Sequence, residues 1–491
     1  MSDSVLIRNG TLITPGGELR GDLLITGEEI TAIGLALASE GASRIVDASG
    51  CIVLPGVIDP HTHIQLDTGI YKTPDDWEIG TRTAACGGVT TVIDFATQFA
   101  GQDVRQALDT RRMEIGDLAQ IDFGLHMMLT ALPASDGELE GWMVDLRAAG
   151  VNSAKVYTTY RPNYYEDDAA LLRVLRAAAR EGVVVMVHCE NDSLVSAATS
   201  ELVRAGQTSL ANHGRARPAL AEVEAANRVL FLADAVGAMH SQKILPQGKL
   251  AASDEIRAAT GGLARNASPL QVYIVHCSVS GTVNQVILAG ARGQDAIAET
   301  TPQYLLLDET VYSGEHPEWG IMQPPLRSPE EKELLWAQVA SGTIATIGTD
   351  HCDYTIAQKR LSPKFTETAG GIPGLETMLP LLVTHGVMQG RISWSRLAEL
   401  TGANPARIFG LPRKGVLAPG YDADLVIYDP RIEGTIRAER LHNLAGYSPY
   451  EGWHVRGAVR DVFCRGRRLV RDGEFVPATG WGCFVPAARS K

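Results

Sequence analysis

The chain of 491 residues lacks the features that mark membrane, secreted and disulfide-stabilised proteins. None of its apolar runs approaches the ~20 residues that a membrane-spanning helix needs. The N-terminal stretch MSDSVLIRNG has neither the basic segment nor the long apolar segment of a secretory signal. The seven cysteines are scattered without a CxxC pair, which indicates reduced thiols. We therefore expect a cytoplasmic protein with no membrane partner.

Basic residues are also fewer than acidic ones, with 44 lysines and arginines and 57 aspartates and glutamates. The formal net charge of −13 argues against a nucleic-acid partner, which requires a basic surface. The hydrophobic fraction of 45% is typical of a globular protein. The length is sufficient for a large α/β barrel with a smaller companion domain.

Both ends of the chain have the pattern of short strands joined by tight turns. The N-terminal SVLIRNGTLITPGG contains an Asn9-Gly10 pair that predicts a turn, and GDLLITGEEITAIG breaks at Gly27. The late stretch KGVLAPGYDADLVIYDP repeats the apolar alternation between glycine-rich turns. We predict that residues 1–54 and 409–491 pair into one composite β-sandwich, with a tail at the C-terminus.

Residues 55–408 show a different pattern, in which short β-branched runs alternate with helical stretches rich in Ala, Leu and Arg. Eight such runs occur, at 56–63, 89–96, 121–129, 153–158, 183–190, 272–278, 296–305 and 343–351. Eight parallel strands with intervening helices predict an α/β fold of the (β/α)8 TIM-barrel type. The active site of such a barrel lies at the carboxyl ends of its strands.

Potential metal ligands collect near the ends of these predicted strands. His61 and His63 are two residues apart, so their side chains share one face of a strand. The whole set comprises His61, His63, Lys155, His188, His276 and Asp350. A single buried histidine is usually a core residue, and a single aspartate before a helix is usually an N-cap. Six such residues on five strands instead predict a metal site in the barrel mouth.

Lys155 is the unusual member of this set, because two neighbouring cations would repel an ammonium group. It lies in the apolar run SAKVYT, where burial lowers the pKa of a lysine and makes a neutral amine accessible. Such an amine can take up carbon dioxide and become a carbamate. A carbamate would supply the anionic bridge that two divalent ions ~3.5–4 Å apart require.

Several long motifs resemble those of a known enzyme family and occur in the same order along the chain. They include LPGVIDPHTH, AACGGVTTVIDFATQ, SAKVYTTY, VMVHCEN, HGRARPALAE, YIVHCSVSG, IGTDHCDYT and GANPARIFGLPRKGVLAPGYDADLVIYDP. With these motifs the chain resembles the cyclic amidohydrolases of the amidohydrolase superfamily, most closely the dihydropyrimidinase/hydantoinase branch. The resemblance covers nearly the whole chain.

The resemblance implies a site with two zinc ions and a carboxylated lysine. The implied ligands of the first ion are His61, His63, Lys155 and Asp350, and those of the second are Lys155, His188 and His276. A hydroxide that bridges the ions would attack a ring carbonyl, with Asp350 as the proton shuttle and Tyr160 as the donor to the oxyanion. The implied enzyme hydrolyses C–N bonds in a small cyclic amide such as a hydantoin, a dihydropyrimidine or a related ureide or imide. The resemblance also implies a homo-oligomer, either a tetramer or a dimer.

Two positions depart from the pattern of the branch. Gln323 stands where dihydropyrimidinases typically have Ser before PPLR, and Gly370 approximately where they have Asn. Both family residues bind the ring through main-chain groups, so we expect Gln323, Gly370 and Tyr160 to bind the substrate. The stretch GIPGLETMLPLL is closer to dihydroorotases and allantoinases, which are the alternative. Gln65 argues against a dihydroorotase, because an arginine there would bind the carboxylate.

Other readings of the chain stay open at this point. Collapsin-response mediator proteins resemble dihydropyrimidinases but are tetrameric scaffolds without metal ligands, whereas every ligand position is filled here. Phosphotriesterases and deaminases are other two-metal barrels. The segment 239–269 has no counterpart in the usual connection to the sixth strand, and its His240 is interpreted as a surface residue.

Two loops, at 64–73 and 152–163, are expected to cover the site. Their apolar and aromatic residues are Ile64, Leu66, Ile70, Tyr71 and Tyr160. Such a lining favours a ring with hydrophobic substituents over a charged ring.

Overall fold

The computed structural model describes residues 4–39, 42–240 and 270–488, without the side chains of residues 238–240. Residues 241–269 of the segment interpreted above, and the side chain of His240, therefore lie outside the described residues. Within the described ranges, no helix is both long enough and apolar enough to span a membrane.

The strands fall into three groups along the chain. The first group is β1 (Ser4–Thr14), β2 (Gly17–Thr26), β3 (Glu29–Gly34), β4 (Arg44–Asp47) and β5 (Ile52–Pro55). The second is β6 (Val57–Thr62), β7 (Val89–Gln98), β8 (Asp122–Leu129), β9 (Ser153–Tyr157), β10 (Val184–His188), β11 (Gln271–Ile274), β12 (Asp295–Thr300) and β13 (Ile344–Ile347). The last is β14 (Leu425–Thr435), β15 (His454–Cys464), β16 (Arg467–Arg471) and β17 (Glu474–Phe475).

The first and last groups form one mixed sheet, in the order β17-β16-β15-β14-β5-β1-β2-β3 with β4 beside β1. The two chain ends join where β5 pairs antiparallel with β14. Apolar side chains from both ends, among them Leu12, Leu23, Ile427 and Phe463, form a common buried core. The predicted composite domain is therefore confirmed.

The turn predicted at Asn9-Gly10 is wrong. Asn9 has a φ of 62° and lies inside β1, where the register with β2 shifts between Ile7 and Gly10. This bulge divides β1 into a half that pairs with β4 and a half that pairs with β5. An asparagine tolerates the left-handed conformation that such a bulge requires. The turn expected at Gly27 is present between β2 and β3, with a φ of 62°.

The second group forms the predicted (β/α)8 barrel. Its parallel strands are ordered β6 to β13, and the gap between β13 and β6 is bridged where Thr62 pairs with His351. The α-helices are Trp77–Cys86, Val104–Ile115, Asp136–Ala148, Asp168–Glu181, Asp192–Arg204, His213–Ala216, Ala219–His240, Ser280–Ala291, Pro302–Leu306, Pro329–Ala340, Ile356–Lys359, Met378–Leu382, Trp394–Ala398 and Asn404–Ile408. Helix Asp168–Glu181 shows how they pack, since Leu171, Val174, Leu175 and Ala178 recur every three or four residues and are buried.

Three of the predicted strands end at least four residues earlier than expected. β12 ends at Thr300, because Pro302 begins a helix where the strand was expected to continue to residue 305. β11 ends at Ile274 and β13 at Ile347. His276 and Asp350 consequently lie in the loops that follow these strands.

The base of the barrel is joined to the sheet and to the C-terminal tail. Lys414 is buried and its Nζ lies 2.8 Å from an oxygen of Asp424, while it also pairs with Asp122 at the start of β8. The tail returns to the same end of β8, where Val485 N–H donates to Phe123 O at 2.8 Å. The domain boundaries after residues 54 and 408 stay a prediction.

Candidate active site

The six predicted ligands converge at the carboxyl end of the barrel. His61 Nε2 lies 2.8 Å from Lys155 Nζ and 3.3 Å from Asp350 Oδ1, and His63 Nε2 lies 3.3 Å from the same oxygen. His188 Nδ1 faces His276 Nε2 at 3.0 Å. The rings of His61 and His276 stack with centroids 5.5 Å apart, which joins the two groups into one cluster.

Loop geometry, as well as the strands, presents these side chains. His61 lies in β6, Lys155 in the middle of β9 and His188 at the end of β10. His276 and Asp350 have φ angles of 36° and 49°, and Tyr160 after β9 has a φ of 74°. Left-handed backbone costs a non-glycine residue of the order of 1–3 kcal/mol and is concentrated at functional sites. Strain of this kind at three predicted site residues supports a functional role for the cluster.

The His61–His63 segment is braced from β7. Both Thr62 Oγ1 and Ile64 N–H donate to Asp94, at 2.9 and 2.8 Å, and Arg111 forms an ion pair with Asp94 at 2.7 Å. The side chain of Ile64 is fully buried in the main core, against Gly80. The expectation that Ile64 lines the site is therefore wrong, because the alternation that directs both histidines inward directs Ile64 to the core.

Two glutamates that the sequence did not single out set the orientation of two imidazoles. Glu299 Oε1 lies 2.8 Å from His61 Nδ1, and Glu190 Oε2 lies 2.8 Å from His188 Nε2. Each carboxyl group occupies one ring nitrogen and leaves the other directed at the cluster, as in metal-ligating histidines. Burial lowers the pKa of both His61 and His188, so the rings tend toward the neutral form that binds metals.

Arg217 is a further residue that sequence reasoning missed. Its Nε donates to Glu190 Oε1 at 3.0 Å, and its guanidinium carbon lies 5.1 Å from the centroid of the Tyr160 ring. Arg217 therefore contacts both the glutamate that orients His188 and the predicted oxyanion donor. The available signals were the position of Glu190 two residues after His188 and the HGRARPALAE motif, which contains Arg217.

Lys155 and Tyr160 have surroundings that suit their expected states. Lys155 is buried beside the Phe95 ring, 4.6 Å from its centroid, and burial lowers the pKa of Lys155 to about 8. The Tyr160 ring centroid lies 5.0 Å from that of His188. Burial raises the pKa of Tyr160, so its hydroxyl stays protonated and can donate a hydrogen bond.

Gln323 and Gly370 lie against each other beside the Asp350 loop. A Cβ added at Gly370 would lie 2.0 Å from Gln323 Oε1 and 2.5 Å from Gln323 Nε2. The Gln323 amide thus occupies the space that a side chain at position 370 would need. Gly371 N–H donates to Ile321 O at 3.0 Å, and Cys352 N–H donates to Ile372 O at 3.1 Å, which ties both segments to the loop of Asp350.

Part of the expected apolar lining is present. Leu66 and Tyr71 pack against a buried cluster of Cys352, Tyr354 and Ala369. The rings of Tyr71 and Tyr354 lie 5.8 Å apart, and Tyr71 Oη donates to Glu367 O at 2.6 Å. Ile70 is 79% exposed and does not belong to this cluster.

A second buried group of potential ligands comprises Asp75, His351 and Asp353. His351 Nε2 lies 3.5 Å from Asp353 Oδ1 and 3.9 Å from Asp75 Oδ2. Gly374 N–H donates to His351 Nδ1 at 3.1 Å, so the ring hydrogen belongs on Nε2, where it faces the carboxylates. Burial and the neighbouring Asp353 raise the pKa of Asp75 to about 7. The group is thus a second set of buried ionisable side chains, separate from the six predicted ligands.

Comparison with known proteins agrees with this geometry. A model of the amidohydrolase family matches residues 52–469. D-phenylhydantoinase of Escherichia coli O81 (strain ED1a) is 37% identical over 487 residues, which are 98% of this chain and 97% of that protein. D-hydantoinase of Geobacillus stearothermophilus is 35% identical over 489 residues, 99% of this chain and 96% of that protein.

A solved structure extends the likeness to the fold. The crystal structure of dihydropyrimidinase from Brevibacillus agri NCHU1002 matches with a TM-score of 0.89 at 33% identity, over 99% of this chain and 100% of that chain. The family and the ligand groups together support a binuclear metal site. The chain therefore belongs to the amidohydrolase family, within the hydantoinase and dihydropyrimidinase branch of cyclic-amide hydrolases.

Proposed function

We propose that this protein is a two-zinc hydrolase that opens the ring of a hydantoin, a dihydropyrimidine or a related cyclic ureide or imide. The observation that carries the proposal is the convergence of four imidazoles, a buried lysine and an aspartate at the barrel mouth. Membership of the hydantoinase branch supports the choice of a ring amide over the phosphotriesters and amino-purines of other two-metal barrels. A non-enzymatic scaffold is disfavoured because every ligand position is filled.

The side chains of the cluster fit two divalent ions. We assign His61, His63, Lys155 and Asp350 to the first ion and Lys155, His188 and His276 to the second. His188 Nδ1 and His276 Nε2 lie 3.0 Å apart, close enough for both ring nitrogens to bind one cation. A carbamate on Lys155 would supply the bridging negative charge that four neutral imidazoles lack. When bound, the two ions would lower the pKa of water and polarise a carbonyl oxygen.

Asp350 and Tyr160 have separate roles in this proposal. Asp350 has 18% of its side chain exposed, so water and substrate can reach it. Its carboxylate takes a proton from the attacking water and returns it to the ring nitrogen, which would otherwise leave as a poor amide anion. The Tyr160 hydroxyl donates a hydrogen bond to the oxygen that becomes negative in the transition state.

The substrate ring is proposed to bind through main-chain groups at Gln323 and Gly370. The apolar cluster around Leu66 and Tyr71 then accommodates a hydrophobic substituent of the ring. This choice agrees with the name of the E. coli relative, a D-phenylhydantoinase. An allantoinase-like or dihydroorotase-like activity is the alternative, and it would require this apolar surface to accept a polar or charged ring. We further propose a cytoplasmic homo-oligomer, a tetramer or a dimer.

The proposal is tested by ring opening of a panel of hydantoins, dihydropyrimidines, allantoin and dihydroorotate, together with metal analysis. We expect two zinc ions per chain and activity that is greatest with hydrophobic hydantoins. Lys155→Ala should lose metal and activity, and acetate supplied with zinc should restore part of both by replacing the carbamate oxygens. Lys332→Ala, which removes a partly exposed lysine from its pair with Asp308, is the control and should keep both.

Two outcomes would contradict the proposal. Lys155→Ala that binds two metals and hydrolyses ring amides without added acid would remove the bridging role. A wild-type protein that carries two metals but opens none of the rings would remove the substrate class.

A further inference from the structure

Lys359 is a buried cation outside the proposed metal cluster. It ends the helix Ile356–Lys359, and none of its surface is exposed. Its Nζ donates to three main-chain oxygens, Ile321 O at 2.8 Å, Ala369 O at 2.8 Å and Gly371 O at 3.0 Å. Among the described residues it has no ion-pair partner, although the neighbouring Arg360 pairs with Glu318 at 2.7 Å.

The three oxygens belong to the two segments that carry Gln323 and Gly370. Ala369 O and Gly371 O lie on either side of Gly370, and Ile321 O lies two residues before Gln323. Two other side chains each bind one of these segments: His213 Nε2 contacts Met322 O at 2.8 Å, and Tyr304 Oη donates to Pro324 O at 2.6 Å. Lys359 binds both at once.

The contacts of Lys359 require its charged form. An ammonium group has three hydrogens, one for each of the three carbonyl oxygens, whereas a neutral amine has two. Burial lowers the pKa of Lys359 to about 7, so its surroundings oppose the charge that these contacts need. An apolar side chain would fill this space without that desolvation penalty, but it would remove one donor from each of the three carbonyl groups. Ile321 O would keep its hydrogen bond from Gly371 N–H.

We propose that Lys359 is a positioning residue for ring recognition, because its ammonium group holds the Gln323 and Gly370 segments at one fixed separation. The main-chain groups of these segments can bind two sides of one ring only while that separation is kept. The inference rests on the proposed function for its substrate. Whether Lys359 fixes the two segments can be measured without any substrate.

The test compares Lys359→Met, which keeps the length of the side chain and removes its charge, with Lys359→Arg. For a hydantoin opened by the wild type, Lys359→Met should raise KM by about tenfold or more while kcat changes by less than about threefold. Zinc content should stay at the wild-type level. Lys359→Arg keeps a cation with several donors and should recover part of the loss in KM.

Amide hydrogen exchange supplies the readout that is independent of substrate. In Lys359→Met, residues 318–327 and 366–374 should exchange faster than in the wild type, while β9 and β10 keep their protection. Lys414→Met is the matched control, because Lys414 is also buried but pairs with carboxylates at the base of the barrel. That variant should leave the exchange of both segments unchanged relative to the exchange of β9 and β10. If Lys359→Met is too unstable to isolate, Lys359→Arg is compared with the wild type by the same exchange measurement and should show a smaller increase in both segments.

Unchanged exchange in both segments, or a wild-type KM in a soluble Lys359→Met enzyme, overturns the inference. If the wild type opens no ring in the panel, the proposed function fails and the exchange measurement alone still decides whether Lys359 fixes the segments. A loss of zinc in Lys359→Met would place the lysine in support of the metal cluster and would also overturn the inference.

Discussion

At the scale of single residues, the site depends on imidazole rings that are hydrogen-bonded at one nitrogen while the other nitrogen faces the cluster. Glu299 holds His61, and Glu190 holds His188 while Arg217 binds Glu190 in turn. Because a ring held at one nitrogen cannot rotate freely, its other nitrogen keeps one direction. The cluster is therefore ordered by contacts that reach well beyond its own six residues.

Asp350→Asn tests the proton-transfer role. The amide keeps the size of the side chain but cannot accept the proton, so kcat should fall by ~10² or more while the thermal midpoint stays close to that of the wild type. Steady-state kinetics at measured zinc content provide the check. Asp109→Asn, a change at an exposed residue on helix Val104–Ile115, is the control. Near wild-type kcat in a fully metallated Asp350→Asn enzyme would exclude Asp350 from this role.

Tyr160→Phe tests the oxyanion donor. Loss of the hydroxyl should cost ~2–4 kcal/mol of transition-state stabilisation, measured as a fall in kcat/KM, while zinc content is retained. Tyr164→Phe is a matched control, because the ring of Tyr164 lies only 6.4 Å from that of Tyr160 and has no proposed role. Equal kcat/KM in wild type and Tyr160→Phe would show that another group stabilises the oxyanion.

At the scale of elements, the loops after the strands determine the shape of the site more than the strands do. β11 and β13 end before His276 and Asp350, whose left-handed backbone turns these side chains into the cluster. The segments that carry Gln323 and Gly370 are joined to the Asp350 loop by main-chain hydrogen bonds. Specificity for the ring should consequently depend on how these loops contact one another.

Gly370→Ala tests the contact between two of these loops. The new methyl group would lie 2.0 Å from Gln323 Oε1, so the Gln323 amide must move and KM for the preferred ring should rise by several-fold. Gln323→Ser removes the amide that the new methyl group would meet. The double variant should therefore bind the preferred ring better than Gly370→Ala alone, so the effects of the two substitutions on KM should not be additive. Gly141→Ala has no atom within 4 Å of the new methyl group and is the control. Additive effects on KM would show that the two positions act independently.

At the scale of the whole molecule, one buried network at the base of the barrel joins the domains. Lys414 pairs with Asp424 and Asp422 at 2.8 and 3.1 Å and with Asp122 of β8, which Arg465 also contacts at 3.0 Å. The site lies at the opposite end of the barrel strands. Stability and catalysis should therefore be separable by mutation.

Lys414→Met tests this separation. Removing one partner leaves buried carboxylates without their cation, which should lower the free energy of unfolding by ~3–5 kcal/mol. Denaturant unfolding measures this change, and kcat at a temperature where the variant is folded should stay close to the wild-type value. Lys332→Met breaks the more exposed pair with Asp308 and should cost only ~0–1 kcal/mol. A large fall in kcat of folded Lys414→Met would contradict the separation.

The sequence by itself determined the barrel, the composite domain and the six candidate ligands that converge at the barrel mouth. These conclusions depend on local regularities: alternation along a strand places His61 and His63 on one face, and eight runs of one kind predict eight parallel strands. Even Lys155 could be singled out, because a lysine within an apolar strand is exceptional. Local regularity did not distinguish a turn from a bulge at Asn9, because a left-handed asparagine serves both.

Only the tertiary structure decided which residues support that site. Glu299 reaches His61 across 238 residues of sequence, and Lys359 reaches Ile321 across 38, so no spacing rule connects either pair. Their contacts arise from the closure of the barrel and the folding of its loops over one another. Hydrogen bonds depend on distance and direction in space, whereas a sequence pattern records only neighbours along the chain. That difference is why the candidate ligands were predictable and the side chains that orient them were not.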